Sequence, residues 1–363
     1  MAAKLQFRLV RVLMAVFILG ALAIFIGTNL SKPRILVLHS YDLDYSWVRD
    51  VNVGIERVLR GKPYNIRWHY MDTKRNPSNE FRERAGLLAR RIIEEWKPDL
   101  IIAVDDDAQK YAAMYYAVMP GDVKRLAKKP MPIVFVGLNG ESKPYGYDLA
   151  VNTTGIFERK QWNAVKNLIG EAVAPGVKGR PVRIAYVGDT SGSVKEDTKF
   201  LESFDWSPYQ LTRSKLVSTY DDWKEEVARA NKDADVLITT NYRRIQETAA
   251  DTRRMVEPEK LVKWTEENTP NIPVIGTNGF YVEDGGMIAL ATSPFEQGEV
   301  GAHMAVDILE KGVDPKTIPT QSTQQFIAYM RADLVRKNKF AVPRVYESFA
   351  RAMNNYYEGG SNP

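Results

Sequence analysis

The sequence predicts an α/β protein made of two doubly wound parallel-sheet lobes. Three observations carry this expectation. Short, wholly apolar runs such as Leu100–Val104 (LIIAV) and Pro132–Val136 (PIVFV) alternate with amphipathic helical patterns. Strands apolar on both faces belong to parallel sheets covered on both sides. The alternation restarts at Val182–Val187 (VRIAYV), giving a second unit of the same kind. Finally, 363 residues, 44% hydrophobic and 26% charged, exceed one ordinary domain and supply two cores.

In the first unit, Arg34–His39 reads as a strand, and Ser46 opens a helix that runs through Arg60 to Gly61. Tyr64–Tyr70 alternates as a second strand. Ser78 caps a charged amphipathic helix that stops near Trp96, before Lys97-Pro98. The two apolar strands quoted above follow, separated by a helix over Ala108–Met119. The second unit has an extended segment at Asn152–Phe157 and a helix around Gln161–Ala172. Its strands are Val182–Val187, Leu211–Ser218, Asp235–Thr239 and Ile272–Gly276, with helices from about Val194, over Asp221–Asn231 and over Glu257–Glu267. A strand at Met287–Ala291, a helix at Pro294–Lys311 and a strand at Gln325–Met330 are surplus to one sheet. The chain is therefore expected to cross between lobes near Val151–Thr154, Ala291–Ser293 and Gln321–Gln325. Lobe 1 is then 33–153 plus 293–322, lobe 2 is 154–292 plus 323–340, and 341–363 is a helical tail, to whose Arg351, Tyr356 and Tyr357 no role is given.

At the N-terminus, Lys4, Arg8 and Arg11 precede an apolar run, the pattern of an export signal. Ala21-Leu22-Ala23 fits a cleavage site, but Ile24, Phe25 and Ile26 continue the run beyond it. Val12 to Leu30 would span roughly 28 Å as a helix, close to the thickness of a bilayer's hydrocarbon. An uncleaved anchor in the inner membrane is favoured over a cleaved signal peptide; with either, the remainder is periplasmic or extracytoplasmic.

Composition narrows the chemistry. There is no cysteine, which removes disulfides, thiolate metal sites, a cysteine nucleophile and a lipidated cysteine. The net charge of +5 comes without a long basic block, so nucleic-acid binding is not expected. His39, His69 and His303 lack metal-ligand spacing, and there is neither a G-x-S-x-G elbow nor a phosphate-binding Walker loop. The run Gly188-Asp189-Thr190-Ser191-Gly192-Ser193 resembles such a loop in composition but lacks its Gly-Lys-Ser/Thr ending. Neither metal, cofactor nor catalytic residues are expected.

Ligands of open parallel sheets bind beyond the carboxyl ends of the strands. Those positions hold Ser40, Tyr41, Asp42 and Trp47 after the first strand, Asp105 and Asp106 after the third and Asn139 after the fourth. In the second unit they hold Asp189, Thr190, Asn241, Asn278 and Phe280. Polar and aromatic groups on two facing rims would form a small-molecule pocket. Ser, Asp and Asn in such loops also cap helices, so each residue singly has an alternative explanation. The run Asp105-Asp106-Asp107 needs a compensating cation, helix dipole or solvent. A magnesium-dependent phosphotransferase reading fits poorly, because this is the third strand and Gln109 stands where Thr or Val would be required. Acidic and aromatic rims tilt the ligand toward an amine-bearing or aromatic compound.

These residues carry a resemblance. ILVLHSYDLDYSWVRDVNVGI (35–55), YMDTKR (70–75), PDLIIAVDDDAQKY (98–111), PIVFVGLNG (132–140), NTTGIFE (152–158) and GGMIALATSPFEQGEVGAHMAVDILEKG (285–312) are similar, in order and spacing, to the periplasmic substrate-binding proteins of ABC transporters. That group also supplies sensor domains to membrane histidine kinases. The resemblance covers most of 34–331. It implies a type I periplasmic-binding fold, three crossovers, a ligand in the cleft and a partner permease, with a tethered sensor signalling to a separate receptor or kinase as the alternative. An exported α/β enzyme, the reading from another class, lacks a coherent nucleophile or metal set. No kinase-like segment follows the binding module, and the anchor departs from the soluble transporter-borne version.

Overall fold

A computed structural model describes residues 11, 13–22, 27, 32–125 and 129–359. The first sheet contains β1 (Arg34–His39), β2 (Asn65–Tyr70), β3 (Leu100–Val104), β4 (Ile133–Leu138), β5 (Thr153–Phe157) and β13 (Gln321–Ser322), in the order β13-β5-β4-β3-β1-β2. All its pairings are parallel. Side chains alternate across each strand and both faces are covered. Ile35 and Val37 pack with α1 (Ser46–Leu59), while Leu36 and Leu38 pack toward α2 (Asn79–Trp96) and α3 (Asp105–Tyr111). This double covering is why the central strands β1, β3 and β4 read as nearly continuous apolar runs.

The second sheet has seven strands, ordered β15-β14-β12-β11-β8-β6-β7. They are β6 (Arg183–Asp189), β7 (Gln210–Val217), β8 (Val236–Thr239), β11 (Val274–Gly276), β12 (Ile288–Thr292), β14 (Phe326–Arg331) and β15 (Tyr356–Tyr357). Its helices include α4 (Trp162–Ala172), α5 (Gly192–Ser203), α6 (Tyr220–Asp233), α7 (Pro258–Glu267) and the short α8 (Phe280–Glu283). The separate hairpin of β9 (Gln246–Thr248) and β10 (Asp251–Met255) projects after β8.

Helix α9 (Pro294–Lys311) follows β12 of the second sheet yet packs on the first, against α1. The two helices meet at glycines: a Cβ on Gly298 would lie 2.2 Å from Val51 O, and one on Gly54 would lie 2.3 Å from Phe295 O. The chain therefore passes between lobes three times, at 158–161, at Ser293 and at 323–325. The first passage lies later than the apolar pattern suggests. Thr153–Phe157 hydrogen-bonds beside β4 and completes the first sheet before the chain leaves it.

Two further expectations need correction. The second sheet is not wholly parallel, because β14 runs antiparallel to β12, pairing Phe326 with Thr292 and Met330 with Ile288. β14 arrives from β13 through a few residues only. It enters the sheet at the end where β12 leaves, whereas a parallel neighbour would need a long crossover. The tail beyond 340 is helical only in part. Helices α10 (Ala332–Lys337) and α11 (Arg344–Ala352) precede Tyr356-Tyr357, which pair with Met330 and Arg331 as an edge strand. Among the described residues no helix is long and apolar enough to cross a membrane. The stretch Val12–Leu30 lies partly outside the described residues.

Candidate functional site

The carboxyl ends of both sheets face one cleft. From the first lobe it is lined by Tyr41, Tyr45, Trp47, Asp50, Lys74, Asp105 and Asn139, and from the second by Asp197, Thr240, Asn241, Asn278, Phe280, Glu283 and Tyr329. Glu158 and Lys160, on the first passage between lobes, lie at its back. The empty volume is about 720 Å³, including solvent at the mouth.

Asp105 is tightly constrained by its surroundings. It begins α3 in the left-handed region, with φ 64°, a conformation that costs a side-chain-bearing residue energy. Gly137, itself at φ 68°, lies opposite; a Cβ there would come within 3.1 Å of Asp105 Oδ1. Asp105 is 2% exposed. Oδ1 accepts from Trp47 Nε1 at 3.2 Å, while buried Oδ2 has no hydrogen-bond partner. Burial, reinforced by the nearby charges of Glu158 and Asp106, holds this carboxyl well above the usual carboxylate range.

A second network crosses the back of the cleft. Lys160 Nζ donates to Glu158 Oε1 at 2.8 Å and to Asn278 Oδ1 at 3.0 Å, with Asp197 at 4.0 Å. Asn139 Nδ2 donates to the other oxygen of Glu158 at 2.8 Å. Burial opposes the charge on Lys160, but Glu158 and Asp197 outweigh it and hold the ammonium above its ordinary value. The passages are bound together nearby. Gln297 Nε2 donates to Thr323 Oγ1 at 2.7 Å, Gln161 Nε2 donates to Thr323 O at 2.7 Å, and Glu296 accepts from the backbone of Gln324 and Gln325. The polar groups of the crossing segments are thus satisfied largely from within.

Of the residues expected from sequence, Tyr41, Trp47, Asp105, Asn139, Asn241, Asn278 and Phe280 line the cleft. The others do not: most are held by their own or neighbouring loops, and one is exposed. Ser40 Oγ donates to Val104 O and accepts from Ala108 N, tying β3 to α3. Asp42 accepts from Asp44 N and pairs with Arg75. Asp189, fully buried, accepts from Ser191 N and Arg244 N, and Thr190 points to solvent. Asp106 accepts from Tyr145 Oη at 3.0 Å, and burial lifts its carboxyl to about 6. Asp107 pairs with Arg82. The three consecutive aspartates thus point to different partners, and among the described residues no group of acids and histidines gathers for a metal. His39 is packed, stacked between Trp68 and Tyr70, and burial lowers its imidazole to about 3.

Sequence reasoning missed Glu158, Lys160, Asp197, Glu283 and Tyr329. None follows an apolar parallel strand by a residue or two except Glu158, whose strand overlaps the passage expected near Val151–Thr154. An i, i+2 acid–base pair at a lobe crossing was the available signal.

Residues 215–340 match the family model described as ABC transporter substrate binding protein. No curated protein matches the chain. Solved structures of other proteins share its fold. A conserved domain protein from Vibrio cholerae is 16% identical with a TM-score of 0.60, over 88% of this chain and 98% of that one. A ligand-free, open substrate-binding protein with adhesive properties from Clostridium difficile is 15% identical with a TM-score of 0.59, over 86% and 96%. An ABC domain in complex with L-Trp from Streptococcus pneumoniae is 16% identical with a TM-score of 0.58, over 87% and 98%. The resemblance of this chain to the ABC transporter periplasmic substrate-binding proteins therefore holds both in a matched segment of sequence and in a shared type I periplasmic-binding fold.

Proposed function

We propose that the chain is an extracytoplasmic solute-binding protein that captures a small amine-bearing compound with aromatic or apolar character between its lobes and presents it to an ABC-type permease. The observation that carries this reading is Asp105: a buried carboxylate with one oxygen unpartnered, in a cleft walled by Tyr41, Tyr45, Trp47, Phe280 and Tyr329. An unpaired buried acceptor is costly, and a ligand ammonium would satisfy it and supply the missing counter-charge. The lining holds Asp50, Asp105, Glu158, Asp197 and Glu283 against only Lys74 and Lys160, so the cleft favours a cation. Flat aromatic walls suit stacking and cation–π contact.

Binding would proceed by closure. The ligand meets groups on both lobes, and its extra contacts in the closed form favour that form. The matched family segment and the L-Trp-bound structural neighbour support solute binding and a transport partner; on this reading the N-terminal apolar segment directs export and holds the protein at the membrane. A thermal-shift screen of amines, amino acids, purines and sugars against the chain tests the proposal. The reading requires an amine to raise the melting temperature, and it fails if only uncharged sugars do so.

A further inference from the structure

The glycine- and serine-rich turn at 188–193 leaves a question that the main cleft does not answer. It leads into α5, twelve residues long, whose first turn carries no acidic residue and whose N-cap Ser191 makes no side-chain capping bond. Ser191 Oγ instead turns back to donate to Asp189 Oδ1 at 2.5 Å. Ser191, Gly192 and Ser193 line a second cavity at the mouth between the lobes, which adjoins the aromatic cleft and shares Tyr41, Lys74 and Ser193 with it. Lys74 and Lys110 enter this cavity from the first lobe and Arg244 from the second.

The charges there are not balanced internally. Among the described residues Asp107 pairs with Arg82 and Glu196 with Lys199, while Asp106 accepts from neutral donors, the hydroxyl of Tyr145 and the backbone of Asn139, so one carboxylate stands against the three remaining cations. Lys74 lies over the rings of Tyr41 and Tyr45, at 4.8 and 5.2 Å, and Lys110 over Tyr111. Neither they nor Arg244 form an ion pair with a described carboxylate. Three cations from two lobes, beside an uncapped helix N-terminus whose first N–H groups lack side-chain partners, form an environment for an anion.

We propose that this mouth cavity is an anion subsite, and that the physiological ligand carries a carboxylate or phosphate group that reaches it while its amine occupies Asp105. This rests on the solute-binding reading and narrows it to dipolar compounds. An anion held by Lys74 and Lys110 on one side and by Arg244 and the α5 terminus on the other would bridge the lobes, so its charge would favour the closed form. Cations that otherwise repel one another across the mouth would become the latch.

The test uses the full chain with inorganic phosphate and with acetate as probes, by thermal shift and calorimetry, at ionic strength held constant with sodium chloride. At least one probe is expected to bind and raise the melting temperature. Arg244→Gln and Lys74→Gln are expected to weaken that binding about ten-fold each, and Arg244→Lys to retain part of it. Binding of phosphate alone identifies a phosphate ester as the ligand class, and binding of acetate identifies a carboxylate. Absence of binding by both probes, or binding unaltered in both glutamine variants, would overturn the subsite. If an anion binds as expected while no amine in the screen does, the amine-site reading fails and the subsite stands.

Discussion

Trp47 Nε1 donates to Oδ1 of Asp105 at 3.2 Å, and that bond leaves Oδ2 of the same carboxylate buried without a partner. The indole fixes the carboxyl plane, and the other oxygen is left buried with its acceptor capacity unused. Asp105→Asn preserves size, tolerance of the left-handed backbone and the Trp47 bond, and removes only the charge. It should weaken an amine ligand by roughly 10- to 100-fold, the usual worth of a charged hydrogen bond, without lowering the melting temperature. Titration calorimetry of the two proteins checks this.

The same group sets a pH dependence. Burial raises the Asp105 carboxyl, which favours its protonated form, whereas a bound ammonium would favour the carboxylate. Amine affinity should increase as pH rises through the raised value and be lost as pH falls below it. In Asp105→Asn the dependence should flatten. Calorimetry in buffers of different ionisation enthalpy should register proton release on binding in the wild type only.

Lys160 tests the back wall. Its side chain is 4% exposed and joins Glu158 to Asn278 across the lobes. Lys160→Met leaves Glu158 buried with Asn139 as its remaining side-chain partner, and should cost about 3–5 kcal/mol, as breaking a buried pair typically does. Adding Glu158→Gln should recover part of the loss in urea melts.

Gly298 tests the anchoring of α9. A methyl group there would meet Val51 O and Ile55 N, both backbone atoms of α1. Gly298→Ala should therefore force the two helices apart and destabilise the first lobe by about 1–3 kcal/mol, the range for overpacking. Chemical denaturation measures it.

Glu266 gives a stability dependence away from the cleft. Its carboxyl end is enclosed, accepting from Tyr281 Oη at 2.8 Å and Met287 N at 2.7 Å, and burial lifts it to about 7. The folded protein thus binds this proton more tightly than the unfolded chain, whose Glu titrates near 4.5. The contribution to stability is full below that lower value and is lost as pH rises toward 7, amounting to at most about 3 kcal/mol. Glu266→Gln should remove this slope from melting curves recorded between those values.

The parallel strands were legible because a strand buried on both faces leaves little room for polar residues, as in Leu100–Val104 and Val236–Thr239. The hairpin at 246–255 was not, since Gln246-Glu247-Thr248 and Asp251–Met255 pair without an apolar face. The orientation of β14 depends on where the chain re-enters the lobe, which periodicity does not encode. In the site, the rule that ligands meet strand ends found Trp47, Asp105 and Phe280, whose side chains are free of loop duties. It also selected Ser40 and Asp189, where the same small polar groups bind backbone instead, Ser40 across to β3 and α3 and Asp189 in its own turn. Lys160 and Asp197 escaped because a charged residue looks solvated until the opposite lobe covers it.

Closure of the lobes on a guest is the central claim, and the absence of native cysteine allows it to be measured by site-specific spin labelling. Arg84→Cys on the first lobe and Asp221→Cys on the second place labels at exposed positions of α2 and α6. Pulsed electron resonance should record a distance distribution that collapses to one short, narrow population when the stabilising amine from the screen is added at saturation. An unchanged distribution under conditions where calorimetry shows the site to be filled would contradict the account.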